Sequence, residues 1–375
     1  MMIDLDEYLA ALGDDTGEDQ EEKDNKAYQR QLFLDYVLRK EDHLEVRKEL
    51  KRRFDAGAEL TGLKGLRKQL AAFDLGYFGR AYLKHYFVRP SPAFHEELDE
   101  IWTNGVLKKR NPYTDATEIS RLDGSRNVAA APRGHAKSTN FTFKDTMHAA
   151  LYLYKHYVII LSDSSDQAEG FLTDIKTELE DNREIRLDFG AQQGRVWKSN
   201  VILTAGNVKI EAIGSGKKVR GRRHGAWRPD LLVLDDVEND ENVNTPEQRR
   251  KLDSWFKKAV SKAGDTYTDI MYIGTVLHYD SLLSNVLKNP EYESKTYRAV
   301  ISFAVRDDLW DEWTEIYTNL FDKDHKQHAR DFYLQHEEDM LEGTEVLWPE
   351  KLDYYKLMII RVSDGEAAFN SELQN

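Results

Sequence analysis

The hydrophobic pattern predicts helices at both ends of the chain and a sheet between them. Apolar residues recur every three or four positions between residues 28 and 83, which is the spacing of amphipathic helices. A charged, helix-like pattern returns between residues 307 and 342. The acidic run at residues 13–25 has no apolar periodicity, so we expect a solvated tail there, after a short helix at residues 8–12.

Six short apolar runs in the middle of the chain have the length and composition of buried strands. They occupy residues 127–131, 157–162, 200–205, 207–213, 231–235 and 270–275. Helical stretches separate most of them, and this alternation is typical of a mainly parallel sheet flanked by helices. The two runs around Gly206 and Asn207 alternate apolar and polar residues, so we expect an antiparallel hairpin in or beside the sheet. The predicted fold class is α/β.

Composition narrows the class of protein. The chain has 375 residues, of which 40% are hydrophobic, enough for a sizeable core. It contains no Cys, which excludes disulfides, thiol catalysis and thiolate metal sites. No apolar run approaches the ~18 residues that a membrane-spanning helix requires. The net charge of -14 argues against a protein that coats nucleic acid over its whole surface, so any DNA contact must be local.

A candidate phosphate-binding loop follows the first predicted strand. The segment has the spacing of the P-loop but carries Ala131 and Ala136 where the strict pattern has Gly. We expect Ala to be tolerated if the turn keeps φ negative there. Lys137 would reach the β- and γ-phosphates of ATP, Ser138 would bind Mg²⁺, and Arg133 is placed to reach the γ-phosphate in cis. The residues expected around the phosphates are Pro132, Arg133, Gly134, His135, Ala136, Lys137, Ser138 and Thr139. Taken alone, the segment is equally consistent with an ordinary strand-to-helix turn.

A second candidate motif is a strand that ends in carboxylates. Residues 231–234 are apolar, and Asp235 follows them where a P-loop enzyme places the acid that holds the Mg²⁺ shell. The water-activating base is then Asp236 or Glu238. Thr275 ends the next predicted strand and would sense the γ-phosphate if that strand neighbours the acidic one. The alternative is that the paired carboxylates cap a helix.

A basic loop precedes the acidic strand. Residues 217–228 hold six Lys or Arg in an otherwise acidic protein, and several Gly residues suggest a mobile loop. Such a loop suits contact with DNA phosphates or insertion of an arginine into a neighbouring subunit's phosphate site, because the guanidinium binds phosphate oxygens bidentately. The alternative is a solvated basic loop.

Taken in order, these segments resemble the large terminase subunit of tailed bacteriophages. The matching segments are YLKHYFVRPSPAFHEEL, PRGHAKST, Val219-Arg220-Gly221, RPDLLVLDD, IGT, VLWPE and FNSELQN, which together span residues 82–375. The resemblance implies an ATPase of the ASCE (RecA-like) P-loop type with ATP and Mg²⁺ as cofactors. It also implies that Arg220 is a trans-acting arginine finger, with Arg222 and Arg223 as competitors.

The resemblance further implies an organisation and a set of partners. We expect an acidic tail and helical region at residues 1–81, a P-loop ATPase core at residues 82–305 and a linker subdomain at residues 306–375, with the family's C-terminal nuclease absent from this chain. The expected partners are double-stranded DNA, the portal protein of the procapsid, the small terminase subunit and further copies of the chain in a pentameric ring. No membrane partner is expected, and the expected location is the host cell cytoplasm. Two competing hypotheses remain: another nucleic-acid translocase or helicase, and a docking scaffold with a degenerate P-loop.

Overall fold

A single large sheet forms the centre of the protein. The computed structural model describes residues 20–108 and 123–375. Its eight-stranded sheet has the order β3-β4-β5-β2-β6-β7-β1-β8. The strands are β1 (Arg126–Ala130), β2 (Tyr157–Ser162), β3 (Gln193–Trp197), β4 (Val201–Thr204), β5 (Lys209–Gly214), β6 (Leu231–Asp235), β7 (Asp269–Gly274) and β8 (Glu293–Thr296). In this spatial order, the six strands β5, β2, β6, β7, β1 and β8 are each parallel to their neighbours. At the other edge of the sheet, β3 pairs antiparallel with β4, and β4 pairs antiparallel with β5.

The six predicted strands are all present, and the fold class prediction is confirmed. β4 and β5 form the expected hairpin, with Asn207 in the left-handed region at φ 62°. β7 lies between β1, which leads into the phosphate loop, and β6, which ends in the acidic pair. A strand between these two is the ASCE arrangement of a P-loop NTPase. β3 and β8 were not predicted from the sequence. Every residue of β8 is exposed and polar, and β3 contains no fully buried residue, so both lack the apolar runs of the inner strands.

Helices cover both faces of the sheet and form the regions before and after it. Those before the acidic strand are α1 (Gln20–Val37), α2 (Leu44–Asp55), α3 (Leu66–Ala71), α4 (Leu75–Tyr82), α5 (Ala93–Trp102), α6 (Thr146–Leu151), α7 (Ser165–Asp181) and α8 (Arg183–Phe189). Those after it are α9 (Asp240–Val243), α10 (Pro246–Trp255), α11 (Leu282–Leu287), α12 (Asp307–Thr318), α13 (His325–Gln335), α14 (Glu337–Leu341), α15 (Tyr354–Asp364) and α16 (Glu366–Phe369). Wider π-helical turns extend α5, α10 and α16, and one at residues 139–145 precedes α6. Among the described residues, no helix has the length and apolarity needed to cross a membrane.

Strand alternation divides the core into two layers. Val158 and Ile160 of β2 face a cluster that also includes the N-terminal helices, whereas Ile159 and Leu161 face the cluster beneath α10 and α11. Because successive side chains of a strand point to opposite faces, one fully apolar strand supplies both layers. A third cluster, between residues 299 and 373, holds the C-terminal helices around the short ladder of β9 (Val300–Ser302) and β10 (Glu345–Val346).

The predicted solvated tail is wrong at its end, where α1 already begins at Gln20. Tertiary contacts stabilise this helical turn: Asn25 donates to Glu184 at 2.8 Å, and Glu22 pairs with Arg183 at 2.9 Å. Contacts with residues so distant in the chain cannot be read from local periodicity. The predicted helix at residues 8–12 and the first part of the acidic run lie outside the described residues.

Candidate nucleotide site

Three loops meet at the carboxyl edge of the parallel sheet. They follow β1, β6 and β7, which are adjacent strands, so the side chains at their ends are brought together. The Lys137 ammonium lies 2.9 Å from Asp236 Oδ2 and donates to Thr275 Oγ1 at 3.1 Å. Lys137 and Thr275 are both buried. The lysine of the phosphate loop, the second carboxylate and the strand-end hydroxyl thus form one connected group.

The pair expected to hold Mg²⁺ is also in contact. Ser138 Oγ donates to Asp235 Oδ1 at 2.9 Å, and the hydroxyl of Thr142 donates to Oδ2 of the same carboxylate. Burial, followed by the nearby charge of Asp236, raises the pKa of Asp235 to about 7. A hydroxyl and a carboxylate oxygen are the hard ligands that Mg²⁺ takes in proteins. Thr142 was missed by the sequence analysis, although its position four residues after Ser138 places it on the same helical face.

Asp236 has a strained backbone and a fixed carboxylate. Its φ is 41°, in the left-handed region that non-glycine residues seldom adopt. Its Oδ1 accepts the backbone N–H of Thr275 at 3.0 Å while Oδ2 faces Lys137. Strain of this kind costs about 1–3 kcal/mol and persists only where surrounding contacts impose it. Here the two partners of the carboxylate impose it.

Glu238 lies in a different environment from Asp236. Its carboxylate accepts the backbone N–H groups of Leu282 and Leu283 at 2.6 and 2.7 Å, at the start of α11. The hydroxyl of Tyr272 is 3.4 Å away, and the side chain is buried. Burial raises the pKa of Glu238, and the helix N–H groups offset part of that effect. Its oxygens are engaged in holding the first turn of a helix.

The backbone at Ala136 differs from the expectation. Its φ is 56°, so the turn does not keep φ negative at the second glycine position. The expectation is wrong there because the loop needs a left-handed residue before Lys137, whatever the side chain. Ala131 shows no such departure: it is fully buried at the end of β1, and its φ is not positive. Gly134 has φ 76°, and a Cβ built on it would meet no atom within 4 Å, so the space over the loop is open.

The remaining loop residues mostly shape the turn. His135 is buried, and its Nδ1 lies 3.1 Å from the carbonyl oxygen of Arg133. Burial lowers the pKa of His135, so its ring is neutral at neutral pH. Pro132 accepts the backbone N–H of His135 at 3.4 Å, and Thr139 begins the π-helical turn after the loop. These contacts make His135 a structural member of the loop.

The C-terminal region reaches the phosphate loop directly. Arg133, expected to face the nucleotide, has its Nε 2.7 Å from Glu372 Oε2, and its backbone N–H donates to the Glu372 carbonyl at 2.9 Å. The ammonium of Lys351 donates to the Gly134 carbonyl. Burial, followed by the charge of Arg89, lowers the pKa of Lys351. Neither contact could be predicted from the sequence, because more than 200 residues separate the partners in the chain.

Contacts within the chain hold part of the basic loop. Val219 is fully buried beneath it, and Arg222 pairs with the carboxylate of Glu211 on β5. Arg220 is exposed, and its guanidinium donates to the backbone carbonyl of Lys258 at 3.4 Å. Arg223 is exposed as well. Of the three arginines, Arg222 is therefore committed to a partner within its own chain.

Comparison with known proteins finds similarity to solved structures only. No family profile and no curated protein sequence matches it, but solved structures do. Phage large terminases are among them. The large terminase of bacteriophage HK97 is 15% identical, and the match covers 60% of this chain and 47% of that chain with a TM-score of 0.33. The ATPase domain of the Thermus phage P74-26 large terminase is 14% identical, with 69% and 93% covered and a TM-score of 0.34.

A DEAD box protein from Methanococcus jannaschii is 12% identical, with 52% of this chain and 53% of that chain covered and a TM-score of 0.29. The chain spans less than half the length of the HK97 large terminase that it matches.

Proposed function

We propose that the protein is the ATP-hydrolysing motor of a phage large terminase, which drives double-stranded DNA into a procapsid. The observation that carries the ATPase part is the contact of Lys137 with both Asp236 and Thr275, beside the Ser138–Asp235 pair. Five residues chosen from three separate motifs form this one constellation. The packaging part rests on the order of terminase-like motifs along the chain.

The residues present fit Mg²⁺ and ATP. Ser138 and Asp235 offer oxygen ligands for the metal, Lys137 offers a charge for the phosphates, and the loop at Gly134 leaves room for them. When bound, Mg²⁺ neutralises charge on the phosphates. Lys137 orients the phosphates by its charge, and Thr142 keeps the Asp235 carboxylate turned toward Ser138.

Asp236 is the residue that we propose as the base for the attacking water. Its carboxylate lies beside Lys137 and Thr275, at the end of β6, whereas the oxygens of Glu238 are engaged by the first turn of α11. A general base must lie within hydrogen-bonding reach of the proton that it accepts, and of the two acids only Asp236 contacts the phosphate-loop lysine. We therefore assign Glu238 a structural role.

Arg220 is the arginine that we propose to act on a neighbouring subunit. It is exposed and lies on a loop that contacts within the chain partly hold, and no carboxylate in the described part of the chain pairs with it, whereas Glu211 pairs with Arg222. A fixed loop presents a guanidinium at low entropic cost, and phosphate oxygens accept its planar fork bidentately. The assembly that we propose is a ring of copies of the chain at the portal, with the small terminase subunit as a further partner. Within each copy, residues 306–375 would form the linker subdomain.

ATP hydrolysis by purified protein tests the proposal. Wild type is expected to hydrolyse ATP at a rate that rises with protein concentration, and Lys137→Ala is expected to abolish it. An equimolar mixture of Lys137→Ala and Arg220→Ala should recover activity that neither variant has alone, because one supplies the site and the other the arginine. A wild type with only the background rate of Lys137→Ala at high concentration would identify a docking protein and defeat the proposal.

A further inference from the structure

The turn that carries Arg220 is held by contacts on both sides of it. Before Arg220, the carbonyl oxygen of Lys217 accepts the indole N–H of Trp255 at 2.8 Å. The side chain of Val219, which directly precedes Arg220, is fully buried in the core beneath α10. Directly after Arg220, Gly221 has φ 83°, a left-handed turn conformation that glycine adopts without strain. Arg220 therefore lies at an exposed turn whose neighbouring residues contact the rest of the chain.

Arg222 closes the turn on the other side. Its Nε and Nη2 both donate to the carbonyl oxygen of Lys218, at 3.1 and 3.0 Å, while Nη1 donates to the carboxylate of Glu211 on β5. One guanidinium therefore joins the residues before and after Arg220 to each other, and joins both to the sheet. The side chains of Arg222 and Glu211 are 32% and 10% exposed, so solvent screens this ion pair less than an ion pair on the open surface.

The carboxylate of Glu211 has a defined orientation. Its Oε1 accepts from Arg222, whereas its Oε2 accepts from the hydroxyl of Tyr157 and lies 2.9 Å from the ammonium of Lys209. Tyr157 and Glu211 belong to the paired strands β2 and β5. Because the hydrogen bonds of such a network support each other, the sheet sets the position of the carboxylate and, through Arg222, the position of the turn.

We propose that Arg222 and Glu211 are positioning residues for Arg220, and that they hold the turn in the conformation that presents Arg220 to the phosphates of a neighbouring subunit. This inference rests on the proposed function, because it requires Arg220 to act in trans. The contact of Arg220 with the Lys258 carbonyl, at 3.4 Å, is longer than a well-formed hydrogen bond and holds the guanidinium weakly. The contacts of the neighbouring residues therefore determine where the guanidinium can reach.

The location of the Arg222–Glu211 pair predicts an effect on the neighbour's site and not on the subunit's own site. Three strands, β2, β6 and β7, separate β5 from β1, which leads into the phosphate loop. Loss of the pair should therefore leave the affinity of the same subunit for Mg²⁺-ATPγS unchanged. Hydrolysis in the neighbour should slow down, since a displacement of about 1 Å in a group that acts on the transition state can cost about a hundredfold in rate.

Glu211 distinguishes positioning from direct action by Arg222. If Arg222 itself acted in trans, the carboxylate of Glu211 would compete with the phosphates for it, and Glu211→Gln would raise the rate. If Arg222 positions Arg220, Glu211→Gln weakens the contact that fixes the turn and lowers the rate.

Mixtures of two full-length variants test the inference. The donor carries Lys137→Ala, which disables its own site, and supplies the trans arginine. The acceptor carries Arg220→Ala and supplies the intact site. Arg222→Ala or Glu211→Gln is added either to the donor or to the acceptor, and ATP hydrolysis by the equimolar mixture is measured at saturating Mg²⁺-ATP.

Arg228→Ala in the donor is the matched control, because it removes one charge from the same loop at an exposed arginine that faces Asp265. The acceptor placement is a second control. It carries the same substitution with the same effect on folding, but the turn of the acceptor has no arginine to present.

We expect Arg222→Ala in the donor to lower the recovered rate about tenfold to a hundredfold. Glu211→Gln in the donor should lower the rate less, because the two bonds to the Lys218 carbonyl remain. The same substitutions in the acceptor, and Arg228→Ala in the donor, should leave the rate unchanged. Mg²⁺-ATPγS should bind to the single variant Arg222→Ala as tightly as to wild type.

An equal fall for the donor and acceptor placements would show a general effect on folding or assembly and would overturn the inference. No fall in the donor would overturn it as well, and so would a rise with Glu211→Gln, which would identify Arg222 as the acting arginine. If the unmodified mixture of Lys137→Ala and Arg220→Ala recovers no activity, the proposed trans role of Arg220 fails, and the inference fails with it.

Discussion

The two alanines at the glycine positions of the phosphate loop predict opposite responses to the same substitution. Ala136 has φ 56°, a conformation that costs an L-residue about 1–2 kcal/mol and a glycine nothing. Ala131 is fully buried and has no positive φ. Replacement of each alanine by Gly therefore relieves strain at only one of the two positions.

The magnitude can be worked from these environments. Ala131→Gly removes a buried methyl group, which costs about 0.8 kcal/mol of stability. It also makes the unfolded chain more flexible, which costs about 0.4–1 kcal/mol more. The free energy of unfolding should therefore fall by about 1.5 kcal/mol. Ala136→Gly has the same entropy term and loses part of a methyl contact, since Ala136 is only half-buried against the core. The relief of about 1–2 kcal/mol offsets both losses, so its free energy of unfolding should equal or slightly exceed that of wild type. The two variants should differ by about 2 kcal/mol.

Urea unfolding followed by tryptophan fluorescence and far-ultraviolet circular dichroism measures this difference. Wild type and both variants should share one slope with urea concentration, because their unfolding exposes nearly the same surface. Equal destabilisation by the two substitutions would show that the backbone at Ala136 is not left-handed in solution, and the argument from its φ would then be refuted.

Three further predictions concern the acids and a buried histidine. Glu238→Gln should lower the free energy of unfolding by about 1–3 kcal/mol and leave kcat within severalfold of wild type. Asp236→Asn should abolish hydrolysis, so a kcat for Glu238→Gln as low as that of Asp236→Asn would contradict the structural role of Glu238. The hydroxyl of Thr142 stabilises the charged form of Asp235 through its hydrogen bond. The nearly isosteric Thr142→Val removes this bond and should therefore raise the Mg²⁺ concentration needed for ATPγS binding. An unchanged Mg²⁺ titration would refute this. Burial lowers the pKa of His148 to about 3, so the unfolded chain takes up the proton first. Stability is therefore lost as pH falls from about 6.5 toward 3, with a slope that approaches about 1.4 kcal/mol per pH unit between these two values. His148→Gln should unfold with a pH dependence shallower than that of wild type by this amount, and identical slopes would contradict it.

The inner strands could be predicted from sequence because burial on both faces leaves a continuous apolar run. β2 and β6 were placed residue for residue, since every side chain between Tyr157 and Ser162 and between Leu231 and Asp235 is buried. β8 could not be found in this way because its residues are exposed and polar and it pairs only along one edge. An edge strand of this kind is specified by its neighbour β1 rather than by its own pattern.

The residues that meet in the candidate site could be listed from the sequence, but the contacts among them could not. The spacing of the motifs identified Lys137, Ser138 and Asp235, because each has a fixed place relative to a strand end. The choice between Asp236 and Glu238 could not be made from sequence. That choice depends on the first turn of α11, because the backbone N–H groups of residues 282 and 283 donate to Glu238 and engage its carboxylate.

The degenerate phosphate loop is explained by contacts that hold strained residues in place. Ala136 and Asp236 both have positive φ, and each is adjacent to or paired with Lys137. The carboxylate of Asp236 is held by Thr275 N–H on one side and by the lysine on the other, so the strain of one residue is offset by hydrogen bonds and charge from the other two loops. A glycine is therefore not required where the surrounding strands already fix the turn. The strict P-loop pattern describes the sequence of one loop. The side chains of the candidate site, a lysine, a hydroxyl and two carboxylates, come from loops that follow adjacent parallel strands. This chain departs from the loop pattern but brings those side chains together.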